Sequence, residues 1–515
     1  MPLFRVQAPA SEYKSPTVGL AKPEKRRTRP SRRGRCERIR LEAGWRVGVA
    51  RSRPPRRPAR RNRLCSMNRP AGRRGRKAVN VEQTIEADWT WTGQSFEKGV
   101  QVVVKADGRI DLVGRLGLTP TKRLADRALL PGMVSAHSHA FQRGLRGQAE
   151  VFPDGAGSFW TWREAMYRLV AGMDGDVLFR LCRQTFGEML AAGISAVGEF
   201  HYLHHDASFD GYAYDDIVLQ AAANAGIRLV LLNTYYRTGG IGQPLNGPQK
   251  RFATPSTDVY WRQMDRLARR ADPWTQSLGV AAHSIRAVGM EEIAALHAEA
   301  RRRGMVFHIH VEEQRREVEE CVSAYGTRPL ALLNERLDVD ERFTAVHCTH
   351  SESGDLGRFA RHGGNVCLCP LTEANLGDGL ADLPAIRAGG GHICVGTDSN
   401  ARICMTEELR WLEYGQRLRS ESRGVCRDAA GSVARGLWET VTVGGARSLG
   451  LKTGRIEVGF CADFVAIDLK APALAGWTPE TLLEAFIFGS AETAVAGTCV
   501  GGRWAYSKPG GDESK

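Results

Sequence analysis

Two histidines one residue apart, His137 and His139, end a short apolar run that follows the break Pro131-Gly132. In a β-strand, residues i and i+2 project to one face, so a strand ending here aims two imidazoles at one point. Neutral imidazole is the commonest nitrogen ligand for zinc, and the pair reads as half of a metal site. The competing reading is that the two histidines only cap a strand, since H-x-H alone is common by chance. The missing ligands must come from other parts of the chain, carried by elements that converge on the same place.

Those elements have a regular pattern. Buried-type apolar runs at 133–139, 194–200, 227–234, 278–283, 305–310, 343–348, 365–369 and 392–397 alternate with helical stretches such as 178–192, 290–303, 312–323 and 405–419. Eight parallel strands in roughly 270 residues fit an α/β fold of the (β/α)8 barrel type. A doubly wound sheet is the alternative, but no G-x-G-x-x-G opens a helix after a strand. A barrel places its catalytic residues at the C-terminal ends of its strands. Here strand one ends in His137 and His139, strand two in Glu199-Phe200-His201-Tyr202, and strand four in His283-Ser284-Ile285-Arg286. Strand five ends in His308-Ile309-His310-Val311-Glu312-Glu313, strand six in His347-Cys348-Thr349-His350, and strand eight in Thr397-Asp398-Ser399-Asn400.

These residue types assemble into one chemistry. His137, His139, His310 and Asp398 can hold one divalent metal and leave a position for water. Such a metal brings the pKa of its water toward neutrality. Glu313, three residues past His310, is placed to shuttle a proton from water to a leaving group. His347 is placed to stabilise developing charge. Zinc is the expected ion, although imidazole and carboxylate also suit iron or manganese. Other histidines have simpler explanations: His308 as core, His350, His362 and His392 as surface or strand-end residues. His201, His204 and His205 read as a cluster on a mobile loop, more readily solvated than ligating.

Charge is distributed unevenly. Of 72 Lys+Arg and 57 Asp+Glu, residues 1–77 hold 25 and 4, leaving 47 and 53 for the rest. The first 77 residues therefore read as a basic, disordered extension, with Met67 as an alternative start. An organelle presequence or a nucleic-acid-binding arm competes with that reading. Short strands at 101–104 and 110–113 flank an Asp107-Gly108 turn, and similar segments at 454–459, 462–467 and 497–503 close the chain. Together they predict a small β domain built from both flanks (78–128 and 452–508) around a barrel at 129–451. The 12 cysteines contain no C-x-x-C pair, the usage of a reducing, cytoplasmic setting. No run reaches the ~18 apolar residues a membrane span needs, so no membrane partner is expected.

The order Leu-Pro-Gly-Met-Val-Ser-Ala-His137-x-His139, His310-x-x-Glu313, His347 and Gly-Thr-Asp398, with Gly459-x-x-Ala462-Asp463-Phe464-Val465, resembles the amidohydrolase superfamily over roughly residues 80–505. Many binuclear members carry a carboxylated lysine on strand four, whereas no Lys occurs here between 278 and 290. The His-x-x-Glu pattern is that of the mononuclear deaminases, which implies one zinc per chain and the reaction C=NH + H2O → C=O + NH3. Gln142, Arg163, Tyr202 and Arg286 suit a carboxylate-bearing substrate, because guanidinium binds carboxylates bidentately. Arg163 pairing with Glu164, or capping a loop helix, is the competing reading. The runs Ala-His-Ser-His-Ala-Phe-Gln-Arg, Phe-Trp-x-Trp-Arg-x-x-Met-Tyr and His-Ser-x-Arg-Ala narrow the resemblance to members acting on a linear N-formimino dicarboxylate of histidine degradation. That likeness gives Asp398 a share in the proton handling, adds His283 to the substrate-recognising set and makes a small amino-acid-derived dicarboxylate the expected partner. Superfamily members are often homodimers.

Two other readings stay open. One is an aminohydrolase or chlorohydrolase of the same superfamily acting on a nucleobase or triazine-like ring. The other is a nucleic-acid-binding protein that uses the basic tail. The latter leaves six strand ends of ligating residues without a use, so nucleic acid is not the expected partner.

Overall fold

The computed structural model describes residues 81–509, apart from 149, 153, 154, 156, 209 and 210. The basic extension and the Met67 start lie outside the described residues. Eight parallel strands form one sheet in chain order: Met133–Ser138, Ile194–His201, Arg228–Tyr235, Gln276–Ser284, Phe307–Val311, Phe343–His347, Asn365–Leu368 and His392–Val395. The sheet curls until its edges meet. The His139 N–H donates to the Asp398 carbonyl (2.8 Å), and the Asp398 N–H donates to the His137 carbonyl (3.1 Å). A Cβ on Gly396 would stand 2.7 Å from the His137 carbonyl oxygen, so only glycine permits this approach of the last strand to the first.

Helices cover the outside because their apolar residues fall on one stripe. The helix Met290–Arg302 is representative, burying Met290, Ile293, Leu296, His297 and Ala300. The chain thus has the expected (β/α)8 architecture, with strand boundaries within three residues of the sequence reading.

A second, mixed sheet joins both flanks of the chain. Val81–Trp91, Phe96–Glu97, Gln101–Lys105, Ile110–Gly114 and Lys122–Pro131 pair with Phe464–Asp468, Val495–Val500 and Arg503–Ser507. Its core is Ile85, Val102, Val104, Ile110, Leu129, Phe464 and Cys499. Two expected strands are corrected. Residues 454–459 form a turn, because Gly454 and Gly459 both take positive φ (84° each) and Val458 is 57% exposed. The segment 497–503 is not one strand: Gly501 and Gly502 (φ 56° and 82°) turn the chain between two paired strands, the primed-turn geometry that matches strand twist. Among the described residues no helix is long and apolar enough to cross a membrane, and the ten described cysteines are free thiols.

Barrel and sheet are joined by a buried ion pair. Arg228, opening the third barrel strand, donates to both oxygens of Asp463 at 2.7 and 2.9 Å. Thr453 and the Gly501 N–H donate to the same carboxylate, and the Gly132 N–H donates to the Asp463 carbonyl. Removing one partner leaves the other charge buried and uncompensated. Asp463→Ala is therefore expected to lower unfolding free energy by about 3–5 kcal/mol in urea titrations. An Arg228→Met/Asp463→Leu double variant should recover most of that loss.

Candidate active site

Three strand ends bring four ligand atoms to one point. His137 and His139 leave the first strand on one face, and their Nε2 atoms lie 3.2 Å apart. His310 Nε2, from the fifth strand, is 3.2 Å from His137 Nε2. Asp398 Oδ1, just beyond the eighth, is 3.4 and 3.3 Å from His137 and His139 Nε2. Hydrogen bonds to carbonyls, which only accept, assign two of the ring tautomers. His139 Nδ1–H donates to the Phe200 carbonyl at 2.7 Å and His310 Nδ1–H to the His283 carbonyl at 2.8 Å. Both Nε2 atoms therefore present lone pairs, and Asp398 adds a carboxylate oxygen. A proton on His137 Nε2 can satisfy only one of these three acceptors, whereas a cation at their centre satisfies all. The donor set fits a divalent metal.

Protonation agrees with ligation. Burial, followed by the neighbouring imidazoles, holds His139 down at about 3 and His310 well below the usual histidine range. Burial opposes ionisation of Asp398, but the surrounding histidines outweigh it and hold its carboxyl below the usual range. The ligands are thus neutral imidazoles and one carboxylate.

Glu313 and His347 stand beside this cage. His347 Nε2 is 3.8 Å from Glu313 Oε1 and 4.0 Å from Asp398 Oδ2, while its Nδ1 faces Glu373 Oε1 at 3.3 Å. Burial disfavours charge on His347, yet Glu313, Glu373 and Asp398 together raise it to about 10. The surrounding carboxylates thus favour its imidazolium form. Burial raises Glu313 above the ordinary carboxylate range, so it can carry a proton. His347 and Asp398 both take positive φ (74° and 44°), a strained backbone of the kind that persists where surrounding structure holds it.

The remaining predicted site residues line the same cleft, which encloses about 520 Å3 including its mouth. Gln142 Nε2 donates to the Tyr202 hydroxyl at 2.8 Å, and Gln142 Oε1 is buried without a protein partner. Arg163 projects from the helix Phe159–Ala171, its guanidinium over the rings of Trp160 and Tyr167; no ion pair to Glu164 occurs among the described residues. His283 faces the cleft with its Nδ1 3.1 Å from Ser284 Oγ. Arg286 is already engaged by Glu317 Oε2 (3.1 Å) and lies 3.7 Å from Glu313. His137 lies beneath the lining, fully buried.

Several contributors were not among the predicted site residues. Tyr167, Tyr236 and Phe252 add aromatic walls, and Glu373 and Glu317 hold the charged groups from behind. No sequence signal marks Glu317, because the helix that carries it starts at Arg315 and leaves Glu313 outside its i,i+4 spacing. The expectation for His201, His204 and His205 is overturned: all three are buried. Asp215 reaches back from the helix Ala213–Ala225 and receives His204 Nδ1 (2.8 Å), Asn233 (3.0 Å) and Gln263 (2.7 Å), with His201 Nε2 3.2 Å away. A buried carboxylate with these donors is a satisfied structural network. His308 is core, bonded to the Ser448 carbonyl.

A near-closed parallel barrel with three imidazoles and a carboxylate converging at its C-terminal rim defines a metal-dependent barrel hydrolase. The chain belongs to the amidohydrolase family, whose profile matches residues 128–505. It is 40% identical over 435 residues to a formimidoylglutamate deiminase of Pseudomonas aeruginosa, covering 83% of this chain and 91% of that protein. It is 26% identical over 356 residues to a 5-methylthioadenosine/S-adenosylhomocysteine deaminase of Nitratidesulfovibrio vulgaris, covering 68% and 73%. Among solved structures, an amidohydrolase from Brucella melitensis superposes with a TM-score of 0.75 at 34% identity, covering 82% and 94%. An adenosine deaminase from Xanthomonas campestris with bound zinc superposes at 0.68 with 25% identity, covering 82% and 92%.

Replacing His310 by Ala removes a cage ligand without touching the ion pair between barrel and sheet. The variant should retain the native far-UV circular dichroism and lose bound divalent metal, measured by plasma mass spectrometry after dialysis. Full metal retention would place the ion elsewhere.

Proposed function

We propose that this chain hydrolyses N-formimino-L-glutamate to N-formyl-L-glutamate and ammonia, a step of histidine degradation, with one zinc held by His137, His139, His310 and Asp398. The observation that carries the reading is the wall facing the cage, where Arg163, Arg286 and the Gln142–Tyr202 pair meet in one small cleft. Guanidinium recognises carboxylate through paired N–H groups, and a linear dicarboxylate needs more than one such contact. The 40% identity to a formimidoylglutamate deiminase supports the same substrate.

A divalent ion held by His137, His139, His310 and Asp398 would supply Lewis-acid activation of water and of the imine carbon. The chain's own residues do the rest. Glu313, beside the cage and raised in pKa, accepts a proton from the attacking water and delivers it to the departing nitrogen. The His347 imidazolium faces the place where negative charge develops and stabilises it. Asp398 orients the reacting oxygen and relays its second proton as the carbonyl forms, so that the nitrogen gains both protons of the water and leaves as ammonia. Gln142, Tyr202, His283 and the two arginines fix the glutamate portion, so that the amidine carbon meets the cage.

The aromatic walls formed by Phe159, Trp162, Tyr236 and Phe252 favour a second reading, deamination of a ring that stacks between them. A substrate panel decides. N-formimino-L-glutamate should release ammonia far faster than guanine, cytosine, adenosine or 5-methylthioadenosine; comparable turnover of a ring overturns the assignment. Arg163→Ala is expected to lower kcat/KM about 30-fold (~2 kcal/mol) with metal retained. Glu313→Gln should lower kcat by about 10²–10⁴-fold, with little change in substrate affinity.

A further inference from the structure

Arg286 faces the cleft but is not a free cation. Its Nε donates to Glu317 Oε2 at 3.1 Å, and an NH2 nitrogen stands 3.7 Å from Glu313 Oε2. Glu317 is fully buried on the helix Arg315–Tyr325, and its other oxygen accepts the Glu312 N–H at 3.0 Å. Glu312 itself sits at φ 52°, in the turn that delivers Glu313 to the site. One carboxylate thus anchors that turn and neutralises the guanidinium.

This arrangement conflicts with the arrival of another carboxylate. A ligand carboxylate on the open fork of Arg286 would bring a third negative group, after Glu317 and Glu313, to one buried guanidinium. In a cleft of low dielectric, like charges a few ångströms apart do not remain ionised together. One of the three must take a proton. Glu313 has the His347 imidazolium on its far side to sustain its charge. Among the described residues the cation that ion-pairs with Glu317 is Arg286, while Glu312, Glu313, Cys321 and Cys348, all acids, also act on it or are acted on by it.

We propose that Glu317 is the resident counterion of Arg286 and takes up a proton when a substrate carboxylate binds there, making it a specificity-determining residue behind the binding surface. This inference rests on reading Arg286 as a carboxylate-binding residue. Burial already raises the Glu317 carboxyl, to about 7, against the opposing pull of Arg286. Below that pH the proton is in place before binding; above it the proton must be captured, and carboxylate affinity falls by about tenfold per pH unit.

The test is calorimetric titration of the zinc-loaded full chain with N-formyl-L-glutamate at pH 8, in buffers of different ionisation enthalpy. The expected result is net uptake of one proton per bound ligand in the wild type, and none in Glu317→Gln. The amide carries no charge and keeps an oxygen for only one of the two donors, the Glu312 N–H or the Arg286 Nε–H, so the deciding readout is proton uptake rather than affinity. A structural role alone leaves the proton uptake unchanged. Equal uptake in Glu317→Gln, or uptake absent from the wild type, overturns the inference while leaving the substrate reading intact. Failure of the ligand to bind either protein removes the substrate reading and this inference with it. Should Glu317→Gln not fold, the wild-type affinity between pH 6 and 9 decides, since a flat profile is incompatible with proton capture.

Discussion

Three imidazole nitrogens and a carboxylate oxygen, separated by 3.2–3.4 Å and removed from water, form an arrangement that repels itself. Bare lone pairs this close are tolerable only around a cation, and a chain that builds such a point must hold it against relaxation. Much of the architecture does so. The Phe200 and His283 carbonyls orient two rings from neighbouring strands, and paired backbone bonds at His137, His139 and Asp398 seal the barrel at the site itself. Closing the barrel and closing the ligand cage are one event.

The same constraint accounts for strain at the rim. His347 and Asp398 leave their strands through positive φ, which turns their side chains inward over the cage, and Asn400 follows at 57°. Asn400 donates to Ser138 Oγ (3.1 Å) and to the Asp398 carbonyl (2.9 Å), tying the turn after the last strand to the first. At the barrel's opposite end, the Arg228–Asp463 pair anchors the composite sheet. The strained rim and the rigid base divide function from stability, as barrels of this type commonly do.

What was legible in the sequence follows from the range of each signal. His137 and His139 could be read because i and i+2 share a face in any strand, and the barrel rule turned six strand ends into one inventory. Arg163 and Arg286 were legible as charges near that face. The partners of Arg286 were not, because Glu317 acts through a tertiary contact that no local period announces. His201, His204 and His205 were misread for a related reason: a polar cluster after a strand resembles a solvated loop until Asp215 arrives from the next helix. In the small sheet, the glycines at 454, 459, 501 and 502 carried the correction. Their positive φ converts apolar runs into turns, and composition alone does not reveal it.

The cleft also explains why its cations are few and tightly held. Glu313, Glu317, Glu373 and Asp398 are met by Arg286 and the His347 imidazolium. The acidic surplus favours the charged form of His347, yet it would repel an anion if it extended across the cleft. Arg163 lies on the opposite helix, clamped between Trp160 and Tyr167 rather than neutralised by a carboxylate. Aromatic faces hold a guanidinium in place without cancelling its charge. The cleft therefore grades from an acidic side to the uncancelled guanidinium of Arg163, and the proposed linear substrate, with an amidine at one end and carboxylates at the other, would lie along that gradient.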